Sequence, residues 1–151
     1  MSEGGSSRSI VIQPCDVQLP LYDSYRTFCR GRLRTNADGY YAFRSDVKPI
    51  SHMIPTDGPV GAMLTKMGRH AWRPAHVHAM LSHPDYVGLT THLFVKGDPY
   101  FESDAVFGVK SSLVVEFVEH SAGTTPDGGH CDEPFCVVEY NFVLARSQFL
   151  P

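Results

Sequence analysis

Two imidazoles at positions i and i+2, in Arg73-Pro74-Ala75-His76-Val77-His78, are the strongest chemical signal in the chain. The surrounding run, Trp72 to Leu81, reads as a β-strand. Alternate side chains of a strand leave the same face, so His76 and His78 project together and can grip one ion. Neutral imidazole is the commonest side-chain ligand for a catalytic transition metal. An isolated His-x-His is more often a pair of ordinary strand histidines; here the preceding Arg-Pro-Ala and its surroundings favour a site. Arg73 either lines that site or pairs with a carboxylate. His70, His83, His120 and His130 carry no argument beyond exposed or loop histidines. His130-Cys131 with Cys136 looks like half a zinc site, but the four-residue gap and the lack of a second pair make free thiols the better reading for Cys15, Cys29, Cys131 and Cys136.

The elements that would position these residues are short, β-rich and punctuated by turns. Ser9–Gln13 is a brief β-branched run, and Thr27–Thr35 alternates arginine with apolar residues. Asn36-Ala37-Asp38-Gly39 has hairpin chemistry and leads into an aromatic strand, Tyr40–Arg44. Prolines and glycines make Val47–Gly61 a long ordered loop. Met63, Leu64 and Met67 predict one short helix over Gly61–Gly68. Strands are expected near Trp72–Leu81, Thr90–Val95, Ser112–His120 and Phe135–Ala145, with a polar connection at Ser121–Glu133. Many short strands and little helix indicate an all-β sandwich.

At 151 residues the chain is long enough for one domain with a proper core. An apolar fraction of 42% and a charged fraction of 19% are ordinary for a folded soluble protein. A net charge of −3 argues against a nucleic-acid surface. The small cluster at Arg26, Arg30, Arg32 and Arg34 reads as a solvated face. No stretch reaches the ~20 apolar residues of a membrane span. Residues 1–8 read as a flexible Gly/Ser-rich tail without the apolar core of a signal peptide, so residues 9–151 form the domain and the expected home is cytoplasmic.

Four segments carry a family resemblance. They are Arg30-Gly31-Arg32 with Asp38-Gly39-x-Tyr41-x-Phe43-Arg44; Ile54-Pro55-Thr56-Asp57-Gly58-Pro59-Val60-Gly61; Gly68-Arg69-His70-x-Trp72-Arg73-Pro74-Ala75-His76-Val77-His78; and Thr91-His92-Leu93-Phe94 leading to Gly97-Asp98-Pro99-Tyr100-x-x-Ser103-Asp104-Ala105-Val106-Phe107-Gly108-Val109-Lys110. Together they resemble the catalytic domain of the intradiol ring-cleavage dioxygenases, most closely the hydroxyquinol 1,2-dioxygenase branch, from about Cys15 to Leu144. The resemblance implies a β-sandwich, here shortened at its N-terminus. It also implies a non-haem iron site, with the iron held by two tyrosinates and two histidines.

On that resemblance His76 and His78 fall on the histidine ligands, and Arg73 on an arginine that sits against the bound aromatic ring. Ile54, Pro55 and Val106 fall on positions lining the substrate pocket. His92 matches the hydroxyquinol branch in a supporting or structural place. The tyrosine positions differ: His52-Met53 stands where the family has Tyr-Pro, and Cys15-Asp16-Val17-Gln18 where it has Tyr-Asp-Val-Gln. Tyr22 reaches the site only if its loop is rerouted.

Tyrosinate is a hard anion that favours Fe(III), whereas imidazole at His52 shifts preference towards divalent ions. His52, His76 and His78 then form a candidate three-histidine site for iron or another divalent metal, with Cys15 a possible fourth ligand; a site without metal would leave them as acids and bases, Arg73 beside them. The expected partner is a small aromatic substrate, with a homo-oligomer open. Three functions follow: oxidative ring cleavage of a catechol, hydroxyquinol or other polyphenol; a repurposed histidine acid–base cyclase, dehydratase or isomerase; or a phenol-binding subunit without catalysis.

Overall fold

The computed structural model describes residues 9–14, 31–44 and 49–147. Eleven strands and one helix follow in order: β1 Ser9–Pro14, β2 Gly31–Leu33, β3 His52–Met53, α1 Pro59–Lys66, β4 Trp72–Arg73, β5 His76–His83, β6 Tyr86–Val95, β7 Val114–Val115, β8 Val118–His120, β9 Gly123–Thr124, β10 His130–Cys131 and β11 Phe135–Val137. Short 3-10 turns lie at Phe101–Ser103 and Ser111–Leu113. The main sheet has the order β2-β1-β5-β6-β7, antiparallel except for the parallel β6–β7 pair. Three two-stranded ladders, β3–β4, β8–β11 and β9–β10, complete a β-rich chain.

Alternation along β5 gives the sheet two different faces. Ala79 and Leu81 are buried on one face, in a cluster with Leu144, and Tyr41, Val77, Tyr86, Leu89 and Phe142 pack around it. Fully burying a leucine such as Leu81 or Leu144 stabilises by roughly 1.5–3 kcal/mol. His76 and His78 leave β5 on the other face.

Pro74 interrupts the run expected to be one strand from Trp72 to Leu81. Proline has no N–H for a ladder, so Trp72–Arg73 pairs with His52–Met53 and a new strand starts at His76. The helix begins two residues earlier than expected because Pro59 is suited to its first turn. It ends where Gly68 takes a φ of +64°. Leu64 is its buried side chain, while Met63 and Met67 are about half exposed.

Three strand expectations are corrected. Tyr40–Arg44 has no ladder partner among the described residues; Tyr41 instead packs on Phe142 and donates its hydroxyl to Tyr140 O. The run expected over Phe135–Ala145 is a strand only to Val137. Beyond it the chain still docks: Val87 N–H donates to Ala145 O, and Leu144 enters the core. Ser112–His120 divides into a 3-10 turn, β7 and β8, which serve two different sheets. The chain does turn at Asn36–Gly39, with Asn36 Oδ1 accepting from the N–H groups of Asp38 and Tyr40, but β2 pairs with β1 and the expected hairpin ladder is absent among the described residues. Cys131 and Cys136 are free thiols, and Arg32 and Arg34 are exposed. No described helix is long and apolar enough to cross a membrane.

Candidate active site

The two central strands of the main sheet bring three histidines together. His76 and His78 come from one face of β5, and β6 places His92 directly opposite His78. One ring nitrogen from each of the three lies within 4.8 Å of the others, the one such metal-competent group among the described residues. The His76 and His78 Nε2 atoms are 3.2 Å apart. Phe94, fully buried, is the register partner of His76 and closes the cluster from behind.

Hydrogen bonding fixes the tautomer of His76. Its Nδ1 lies 2.7 Å from Pro74 O, an obligate acceptor, so Nδ1 carries the proton and Nε2 presents a lone pair to the cluster. Burial is the main reason that the His76 pKa falls to about 3, with the Arg73 cation and neighbouring histidines adding to the effect. Desolvation likewise lowers the pKa of His92 and of His52, and the Arg73 charge adds to both. A neutral imidazole with its lone pair turned to the cluster, as in His76, suits cation ligation.

Arg73 is held rigidly. Its Nε donates to Asp104 Oδ1 at 3.0 Å and its Nη2 to Oδ2 at 3.3 Å, a bidentate buried pair. Its Nη1 donates to His76 Nε2 at 3.3 Å. Burial opposes ionisation of Asp104, but Arg73 and the N–H groups of Gly108 and Val106 outweigh it and hold the carboxyl below its ordinary value. Arg73 therefore pairs with a carboxylate and also touches the histidine cluster.

Asp98 ties the flanking segments to each other. Its Oδ2 accepts from Ser51 Oγ at 2.6 Å and from Ala75 N–H at 2.9 Å, joining the residue before His52 to the residue before His76. His52 is the register partner of Arg73, and its ring centroid lies 5.1 Å from that of His76. His52 Nδ1 is buried with no hydrogen-bond partner. Ile54 packs against the small core of Leu64, Ala71 and Ala105, while Pro55 and Val106 are exposed. Cys15 and Tyr22 lie outside the described residues.

The compact triad is thus His76, His78 and His92, with His52 alongside. The sequence signal that points to His92 is its phase: in an antiparallel β5–β6 pair, one register places it across from His78 and on the same face. Asp104 and Asp98 gave no sequence signal beyond lying in a matched segment.

A family model described as "Dioxygenase" matches residues 22–146. The hydroxyquinol 1,2-dioxygenase of Nocardioides simplex is 45% identical over 131 residues, covering 86% of this chain and 43% of that protein. This chain belongs to the intradiol ring-cleavage dioxygenase family. The 6-chlorohydroxyquinol 1,2-dioxygenase of Cupriavidus pinatubonensis is 50% identical over 95 residues, 63% of this chain and 34% of that one. In structure, the hydroxyquinol 1,2-dioxygenase of Pseudomonas putida superposes with a TM-score of 0.81 at 40% identity, over 95% of this chain and 51% of its own. The chain therefore spans less than half the length of the curated relatives it matches.

Among the described residues, the donors around the triad are a poor match to the ferric ion implied by the family. Among those residues the converging atoms are imidazole nitrogens, a guanidinium stands 3.3 Å from one of them, and the carboxylate nearby is committed to that guanidinium. Such a set fits a divalent transition ion rather than a ferric one, which calls for anionic oxygen.

Proposed function

We propose that this chain is an enzyme acting on a vicinal diol of the catechol or hydroxyquinol class at the His76–His78–His92 cluster. The observation that carries the reading is the convergence of three imidazoles beside a pinned arginine. It is supported by the names of the relatives, hydroxyquinol and chlorohydroxyquinol 1,2-dioxygenases. His76, His78 and His92 would hold a divalent metal, ferrous iron included. When bound, that ion supplies Lewis acidity towards the diol oxygens.

The protein's own residues account for the rest of the chemistry. Burial keeps His76 and His92 unprotonated near neutral pH, so they do not compete as cations. His52, whose buried Nδ1 has no hydrogen-bond partner and whose ring lies beside that of His76, would accept the diol proton. Arg73 offers fixed positive charge to the oxygen or ring carbon that becomes electron-rich. Ring opening between the two hydroxyl-bearing carbons consumes one O2 and leaves both of its oxygen atoms in a diacid of the muconate class.

One feature favours a second reading. Cys15 and His52 occupy the positions where the resemblance expects tyrosines. The histidines would then serve proton transfer in a cyclisation, dehydration or isomerisation without O2.

An oxygen-electrode assay with hydroxyquinol and catechol, on chain reconstituted anaerobically with ferrous iron, separates the readings. One O2 consumed per diol supports ring cleavage. Conversion of a phenolic substrate that continues under argon and survives chelation carries the acid–base reading. Tight phenol binding without conversion of any kind sinks both.

A further inference from the structure

Arg73 is unusual in how completely its direction is dictated. The Asp104 carboxylate grips two guanidinium nitrogens, Nε and Nη2, at 3.0 and 3.3 Å. Asp104 is itself held by the N–H groups of Gly108 at 2.8 Å and Val106 at 3.3 Å. Phe107, between those two residues, takes a φ of +56°, a left-handed backbone that turns Gly108 back on to the carboxylate. Gly108 leaves little spare room: a Cβ there would stand 3.1 Å from Arg73 Nη2 and 3.2 Å from Asp104 Oδ2. The third nitrogen, Nη1, donates to His76 Nε2. That lone pair is also the one His76 would give to a cation, because its Nδ1 is committed to Pro74 O.

We propose that Asp104 is the positioning residue that aims Arg73, fixing two guanidinium nitrogens so that Nη1 faces the histidine cluster and binds an anionic oxygen of the diol. This role rests on the diol-site reading above. Once His76 Nε2 is occupied, Nη1 loses its acceptor but cannot swing away. Its N–H then meets whichever anion enters the cluster. A planar fork gripped along one edge has a defined remaining direction, which a lysine ammonium would lack. Gly108 and Val106 serve by orienting the carboxylate.

The test uses 4-nitrocatechol under argon on chain reconstituted with ferrous iron, because its visible band reports both binding and ionisation. Wild type is expected to bind it ionised. Asp104→Asn and Arg73→Gln should each weaken binding at least about tenfold and move the bound band towards the protonated form. The double variant should lose no more than about threefold beyond either single, because Asp104 acts through Arg73. Gly108→Ala keeps every charged group but displaces the fork, and should weaken binding about threefold.

Binding within twofold of wild type for both Asp104→Asn and Gly108→Ala overturns the proposal, as do losses that multiply in the double variant. If Asp104→Asn does not fold, unchanged binding by Gly108→Ala alone is enough to overturn it. If wild type binds no 4-nitrocatechol, the diol-site reading falls and this role with it. Equal binding by wild type and the variants removes the positioning role and leaves the diol site intact.

Discussion

His78 and His92 are direct partners across β5 and β6, their ring centroids 4.2 Å apart. His76, two residues along β5, has its ring 5.1 Å from that of His92. The i, i+2 spacing supplies two donors, and the antiparallel register supplies the third from a different segment.

Metal affinity should therefore depend on His92 as strongly as on His78. Loss of a partner that merely supports a ligand costs ~10–100-fold, and loss of a ligand more. His78→Ala and His92→Ala should each weaken Zn(II) or Co(II) binding by at least about a hundredfold in competition with a chromophoric chelator. His52→Ala should have a clearly smaller effect. Equal losses for His52→Ala and His92→Ala would extend the site to four histidines.

Acid should destabilise the fold well before its carboxylates titrate. The pKa of His76 is lowered to about 3, and those of His52 and His92 are lowered too, mainly by burial. In the unfolded chain these rings take up protons near pH ~6.5. Between the two values the unfolded state binds more protons, so stability is full above about pH 6.5 and is lost as pH falls below it. Thermal melting followed by circular dichroism from pH 7.5 to pH 4 should show a steady drop in Tm. The drop should be smaller in His76→Gln, and an identical slope in that variant would remove His76 as its source.

Breaking the Arg73–Asp104 pair from one side should be costly. Both side chains are nearly inaccessible, at 10% and 2% exposure, so Arg73→Met strands a buried carboxylate. The expected loss is about 3–5 kcal/mol by urea denaturation, and adding Asp104→Leu should recover much of it. A loss below ~1 kcal/mol for Arg73→Met would mean that water reaches Asp104.

Gly61 has no room for a side chain. A Cβ at this buried helical position would overlap the backbone of Thr56, which has no flexible end to give way. Gly61→Ala should destabilise by roughly 2–3 kcal/mol despite alanine's better helix propensity. A neutral or stabilising outcome would show that the Thr56 loop adapts freely.

Much of this was legible beforehand for identifiable reasons. The His76–His78 pair followed from strand alternation alone, and the helix from its apolar spacing and glycine stop. Pro74 should have signalled the break between β4 and β5, because a missing N–H is a local property. His92 and Asp104 were harder. Their roles arise from pairing between distant segments, and register is not written in either segment by itself. The aromatic run Tyr40–Arg44 misled because its residues serve contacts such as Tyr41 on Phe142, not a ladder.

The strand carrying His76 and His78 is flanked on one side by β1, whose Gln13 pairs with His78 from near the start of the chain, and on the other by β6. The histidine strand thus cannot complete its lateral pairing until a very distant segment has closed a long loop. Pairings of such sequence separation form late and slowly, because chain entropy is spent before contacts return it. Assembly of the cluster is consequently tied to the cooperative folding of the whole sheet, and peptides cut from the β5–β6 hairpin should not reproduce it.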